Sequence, residues 1–201
     1  MDDFELAVES INRGAIQKSG ELAQLIEFIG ERKAPRTVLE IGTMSGGTLW
    51  LWCQLAYPTA HIISVDLPNG PFGGGYPPEA GDKFLTYTKH QQSMQLFRAD
   101  SHDPLTFASV ERYLKVYKRK VDLLFIDGDH TYDGVKQDFE MYGTLVSDDG
   151  LIVFHDIVKH TGVPDCGVDV LWEEIKDNHQ YREFITPDGG AAWAGIGVLH
   201  A

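Results

Sequence analysis

The chain has 201 residues, with thirty acidic side chains against seventeen Lys and Arg and a formal net charge of -13. That charge repels phosphate backbones and anionic lipid, which excludes nucleic acid and membrane surfaces as natural partners. The two cysteines, Cys53 and Cys166, lie far apart in sequence and make no metal-ligand pair, so both read as free thiols of a reducing compartment.

The acidic, amphipathic start "MDDFELAVES" has none of the features of a secretory leader, and no run reaches membrane-spanning length; a cytoplasmic location is expected. Residues 1–36 form an N-terminal helical segment in which "ELAQLIEFIGER" is an amphipathic helix able to cover a sheet edge or help line a site. Residues 37–201 form the core, and the whole length is expected to be one domain. "TVLEIG" (Thr37–Gly42) is a first strand, followed by a helix over Gly46–Ala56 and a second strand, "HIISVD" (His61–Asp66). The prolines and glycines of "LPNGPFGGGYPP" (Leu67–Pro78) forbid regular structure there, and this excursion is expected to fold over a bound cofactor. A short helix over Lys83–Gln92 leads to a third strand, "QLFRAD" (Gln95–Asp100).

Asp103-Pro104 then has the form of an N-cap with proline at the first helical position, opening a helix to about Lys118. "VDLLFID" (Val121–Asp127) is the fourth strand, Thr131–Tyr142 a surface helix and "GLIVFHD" (Gly150–Asp156) the fifth strand. A helix over Gly167–Asn178 precedes strands in Arg182–Pro187 and Trp193–His200 around the turn "DGG", a hairpin signal. This alternation predicts an α/β, doubly wound, Rossmann-like, mostly parallel sheet of about seven strands with helices on both faces and an antiparallel C-terminal hairpin.

In such a sheet, ligands sit in the crevice outside the carboxyl ends of the strands. The first crevice turn, "VLEIGTMSGGT", lacks the three-glycine pyrophosphate pattern. Glu40 stands at its first position, ahead of Gly42, Thr43, Gly46 and Gly47. A carboxylate there repels a pyrophosphate and favours a cation, and S-adenosylmethionine has a sulfonium and an ammonium but no phosphate. Asp66 is placed to accept hydrogen bonds from a ribose diol, and Asp100 with Ser101 follows the third strand in the same layer. Strands four and five deliver Asp127, Asp129, His130, His155 and Asp156 to one place. Structural alternatives stand beside these readings: His130 as a helix cap, His155 as a hydrogen-bonded core histidine, Asp129 as a turn-former.

The segments "VLEIGTMSGGT", "ISVDLPNGPFGGGY", "ADSHDP", "DLLFIDGDHTYDGVKQDFEMY" and "GLIVFHDI" resemble, in order and spacing, the class I S-adenosylmethionine-dependent methyltransferases. They are most similar to the branch that includes cephalosporin hydroxylase-like proteins and the O-methyltransferases of macrolide and rhamnosyl sugars. The resemblance spans about residues 35–160. It implies that Glu40 and Gly42, in the turn with Thr43 and Gly46, lie near the methionine portion of the cofactor, Asp66 near its ribose, and Asp100 with Ser101 near its adenine. In metal-dependent members of the branch, the acid matching Asp127 is a metal ligand, the histidine matching His130 is the general base, and an acidic pair matching His155-Asp156 completes the metal site. Here the first of that pair is histidine, whereas magnesium prefers oxygen ligands, so magnesium, manganese and no metal all stay open. The implied reaction is O-methylation of a small hydroxylated molecule or sugar. A histidine near neutrality suits removal of the hydroxyl proton, and a divalent ion would stabilise the alkoxide. A metal-dependent hydrolase and a non-catalytic cofactor-binding partner are the competing readings, and a homo-oligomer is left open.

Overall fold

The computed structural model describes residues 1–89, 91–163, 165–186 and 193–201. Its strands are β1 (Thr37–Ile41), β2 (His61–Asp66), β3 (Ser93–Arg98), β4 (Val121–Ile126), β5 (Val146–His155), β6 (Tyr181–Phe184) and β7 (Ile196–His200). They form one seven-stranded sheet in the order β3-β2-β1-β4-β5-β7-β6. The first five run parallel, while β7 is antiparallel to both β5 and β6.

The apolar runs of β1, β2, β4 and β5 lack a polar face because both sides of the sheet are covered. Val38, Leu123, Phe125 and Val153 pack toward α1 (Asp3–Asn12), α2 (Ser19–Gly30), α3 (Gly47–Leu55) and α4 (Ala80–Leu85). The alternate residues Leu39, Ile41, Leu124 and Phe154 pack toward α5 (Pro104–Tyr117), α6 (Tyr132–Tyr142) and α7 (Val168–Ile175). Each fully buried Leu or Phe in these layers contributes roughly 1.5–3 kcal/mol. The order reverses between β1 and β4, so their carboxyl ends diverge into a crevice, the topological switch point of an open α/β sheet.

Several boundaries differ from the sequence expectation for identifiable reasons. The N-terminal segment holds two helices, α1 being started by a capping box in which Asp2 and Glu5 satisfy each other's backbone amides. The helix expected over Lys83–Gln92 is α4, shifted earlier; the hydroxyls of Thr86 and Thr88 bond back to the carbonyls of Lys83 and Leu85 and end it. β3 lies two residues before its expected place, so Asp100 is in the turn beyond it. β5 begins at Val146, with a register shift against β4 between Val121 and Leu123. β7 begins only at Ile196 because Ala194 and Gly195 have positive φ and break the extended backbone. The predicted turn "DGG" lies outside the described residues. None of the described helices is long and apolar enough to cross a membrane.

Candidate active site

A cavity of about 360 Å³ occupies the switch point. Its wall draws on the β1–α3 turn, the excursion after β2, the turns after β3 and β4, the end of β5 and the α1–α2 connection. Asp66, Asp100, Asp127, Asp129 and Asp156 line it, and among the described residues no Lys or Arg does.

The glycine turn is fixed by close approach. Gly42 has φ +85°, and a Cβ there would lie 2.0 Å from the carbonyl oxygen of Asp127, so any side chain would push the ends of β1 and β4 apart. Asp66, expected to face a ribose, lines the cavity and accepts from the amides of Thr43 (2.6 Å), Met44 (2.8 Å) and Tyr76 (3.2 Å). A carboxylate offers about four acceptor positions, so roughly one remains for a ligand. Glu40 stands behind the turn, outside the cavity wall, rather than facing a bound cation. It is fully buried, and its oxygens accept from Trp52 Nε1 and Thr43 Oγ1, each at 2.7 Å. Burial pushes its carboxyl up to about 7 against the opposing hydrogen bonds from Thr48, Thr43 and Trp52.

At the other end, Asp100 and Ser101 line the wall as expected, with Tyr142 Oη donating to the Ser101 carbonyl at 2.8 Å. His102, also in the wall, places Nε2 3.3 Å from Asp138 Oδ1. That partner pushes His102 up to about 9, yet burial still raises the carboxyl of Asp138, because desolvation costs the acid more than the histidine returns. The sequence reading missed Asp138. Its spacing from Val135 and Tyr142 puts it on the buried face of α6, where an acid needs a partner.

The acids and histidines of β4 and β5 do meet. His130 Nδ1 lies 2.8 Å from Asp156 Oδ2, and its Nε2 lies 3.4 Å from Asp127 Oδ1. His155 Nδ1 lies 3.2 Å from Asp127 Oδ1 and 3.5 Å from Asp156 Oδ2. Asp156 has φ +63°, a left-handed turn that bends the chain sharply just past β5. Burial opposes charge on both imidazoles, but the two carboxylates, joined at His130 by a hydrogen bond with Cys166, prevail and push His130 up to about 11 and His155 up to about 10. The same pairs hold Asp156 well below the usual carboxylate range, against its own burial.

Thr131, not His130, caps α6, its hydroxyl accepting from the Gly134 amide. Asp129 serves the turn, accepting from the Thr131 amide. The ring of Phe72, from the excursion, stacks on His130 at 4.9 Å and 10°. Gln17, from the α1–α2 connection, donates through Nε2 to Asp127 Oδ2 at 2.8 Å, a contact no motif announced. Donor atoms of Asp127, His155 and Asp156 converge within 4.8 Å, and so do those of His130, Asp156 and Cys166. The first set, two carboxylates and one imidazole, fits a divalent transition ion better than magnesium. His61, His179 and His200 lie outside the cavity wall, bonded to Tyr113, the His200 carbonyl and Arg32 respectively.

Comparison with known proteins adds the family. A profile described as a methyltransferase domain matches residues 39–157. An uncharacterized protein of Acanthamoeba polyphaga mimivirus is 32% identical over 129 residues, which cover 64% of this chain and 54% of that protein, so the chain spans about half of that relative's length. TomG of Streptomyces achromogenes, an O-methyltransferase involved in tomaymycin synthesis and solved with SAM, has a TM-score of 0.60 at 15% identity, covering 100% of this chain and 90% of that one. MycE, a methyltransferase of the mycinamycin biosynthetic pathway solved with Mg, SAH and mycinamycin VI, has a TM-score of 0.61 at 15% identity, covering 100% of this chain and 54% of that one. At such identities the likeness is one of fold.

Proposed function

Since the chain belongs to the methyltransferase-domain family, we propose that it transfers the methyl group of S-adenosylmethionine to a hydroxyl of a small molecule or sugar. The observation that carries this reading is the cavity wall, in which five aspartates outnumber the three histidines held protonated, His102, His130 and His155, and which has, among the described residues, no Lys or Arg. Such a wall attracts a sulfonium and an ammonium and repels the pyrophosphate of a dinucleotide. The turn around Gly42, Thr43 and Gly46 would take the methionine portion, Asp66 the ribose, and Asp100 with Ser101 the adenine.

His130 is the proposed base. Between Asp127 and Asp156 it carries a proton at neutral pH, pushed up to about 11, and a base must be neutral. Turnover therefore requires the two carboxylates to release part of their hold on that proton. A divalent cation held by Asp127, His155 and Asp156 would supply the compensating charge and acidify the acceptor hydroxyl. Phe72 keeps the imidazole plane fixed, and in-line placement of acceptor and sulfonium methyl supplies much of the remaining rate.

The test is calorimetric titration of the metal-free protein with S-adenosylmethionine and with NAD, repeated with magnesium and with manganese. Saturable binding of S-adenosylmethionine but not NAD is expected, and no binding of S-adenosylmethionine under any condition would sink the reading.

A further inference from the structure

The connection from β5 to α7 passes directly against the start of α6. A Cβ on Gly167 would lie 2.7 Å from both the amide nitrogen and the Cβ of Tyr132, and the Gly167 amide donates to the His130 carbonyl at 2.8 Å. That approach sets Cys166 beside His130, with which it shares a hydrogen bond. The left-handed turn at Asp156, φ +63°, brings its carboxylate to the same point, with Oδ2 2.8 Å from His130 Nδ1. One ligand atom from each of these three residues lies within 4.8 Å of the other two. The cluster is open to ions, because His130 and Asp156 line the cavity and Cys166 is only half-buried.

We propose that His130, Asp156 and Cys166 bind a zinc ion, at a site that overlaps the set of Asp127, His155 and Asp156 and occupies the imidazole of His130. The donors suit that ion, since zinc takes thiolate, imidazole and carboxylate ligands and keeps a fourth position for water where the protein supplies three. A metal-bound thiol is deprotonated, so thiolate and carboxylate together neutralise the charge of the ion beside a neutral imidazole. The geometry suits it as well. Ligand atoms of one tetrahedral zinc stand about 3.3–3.5 Å apart, so the ion takes the place of the proton between His130 and Asp156 by opening their contact about half an ångström. The two sets sort ions by softness: the thiolate selects zinc, whereas the pair of carboxylates in the other set leaves manganese acceptable. Asp156 belongs to both, so zinc and a catalytic ion compete. Zinc binding stands apart from the cofactor; that it silences the reaction rests on His130 being the proposed base.

The experiment titrates the metal-free, reduced protein with cobalt(II), which takes the ligands of zinc and shows a near-ultraviolet charge-transfer band when a thiolate is bound. The wild type is expected to show that band, and an equimolar amount of zinc to bleach it, while about a tenfold excess of manganese or magnesium does not. Cys166→Ser should lose the band. In His130→Ala the cobalt concentration that gives half the band should rise at least about tenfold, since even the loss of an outer partner of a metal site costs that much. The set of Asp127, His155 and Asp156 leaves both variants a residual affinity without sulfur, which the band does not report. Urea unfolding of the metal-free variants checks their folding, and where Cys166→Ser does not fold, the wild-type band and His130→Ala decide. No band in the wild type, a band that survives Cys166→Ser and so belongs to Cys53, a smaller change in His130→Ala, or bleaching by manganese as readily as by zinc overturns the inference. S-adenosylmethionine takes no part in this titration, so each of these results leaves the cofactor assignment standing.

Discussion

Replacing Glu40 with glutamine removes a buried charge and keeps the shape of the side chain, so its consequence follows from linkage alone. Burial raises the carboxyl from an ordinary 4.5 to about 7. Between those values the folded protein retains a proton that the unfolded chain has released. The stability this proton contributes is fully present below pH 4.5 and is lost as pH rises through 7. At 1.36 kcal/mol per unit the loss amounts to about 3 kcal/mol. Glutamine retains an oxygen for Trp52 Nε1 and turns its amide toward Thr43 Oγ1, which passes its own proton to Ser64 Oγ, 2.6 Å away. In urea unfolding, Glu40→Gln should exceed wild type by about 2–3 kcal/mol at pH 8, the difference falling below about 1 kcal/mol at pH 5. Because Glu40 lies outside the cavity wall, affinity for S-adenosylhomocysteine should change by less than about threefold. A variant no more stable than wild type at pH 8 would refute the buried-charge argument, and a loss of affinity beyond tenfold would return Glu40 to direct contact with the ligand.

His130→Ala should abolish methyl transfer while S-adenosylhomocysteine affinity stays within about tenfold; an active variant refutes the base assignment. Protein stripped of divalent ions should gain turnover with pH, by roughly tenfold per unit between pH 7 and 9, because the neutral fraction of a group titrating near 11 rises in that proportion. A flat profile across that range excludes His130 as the proton acceptor in the stripped protein. Gly42→Ala meets the Asp127 carbonyl at 2.0 Å from a backbone with φ +85°, and should cost about 3 kcal/mol or more in urea unfolding. Wild-type stability there would mean that β1 and β4 separate freely. Hydrogen exchange in Leu67–Pro78 should slow when S-adenosylhomocysteine binds, and unchanged protection rules out a closing role for that excursion.

What the sequence made legible is what local physics dictates. The central strands announced themselves as apolar runs because both sheet faces are covered, and Asp103-Pro104 marked a helix start through the cap observed, whereas α6 is capped by Thr131 and not by His130, the cap the sequence offered. The meeting of Asp127, His130, His155 and Asp156 followed from topology alone, since adjacent parallel strands end at one crevice. The departures are tertiary. Nothing in residues 13–18 signals that Gln17 reaches a residue 110 positions away. Glu40 is instructive because its signal was present: strand alternation puts it on the face of Val38, toward α3, and not at the strand end with Gly42. A motif position suggested a ligand contact where the period of two pointed into the core.

Asp66 connects these observations to binding. Its carboxylate ties the glycine turn, through the Thr43 and Met44 amides, to the excursion, through the Tyr76 amide. Gly75 crowds the same group, since a Cβ there would stand 2.3 Å from Asp66 Oδ1. A diol that takes up Asp66 has about one free acceptor position and must compete for any further one. The bonds to the turn are the shorter, at 2.6 and 2.8 Å, and the turn is braced by Gly42 against β4; the bond to Tyr76, at 3.2 Å, is the longest. The excursion therefore yields first. Phe72, four residues before Tyr76, rides on the same excursion and stacks on His130. If a ribose takes up Asp66 as proposed, its binding is in this way coupled mechanically to the ring stacked on His130, the proposed base, with no contact needed between the cofactor and His130.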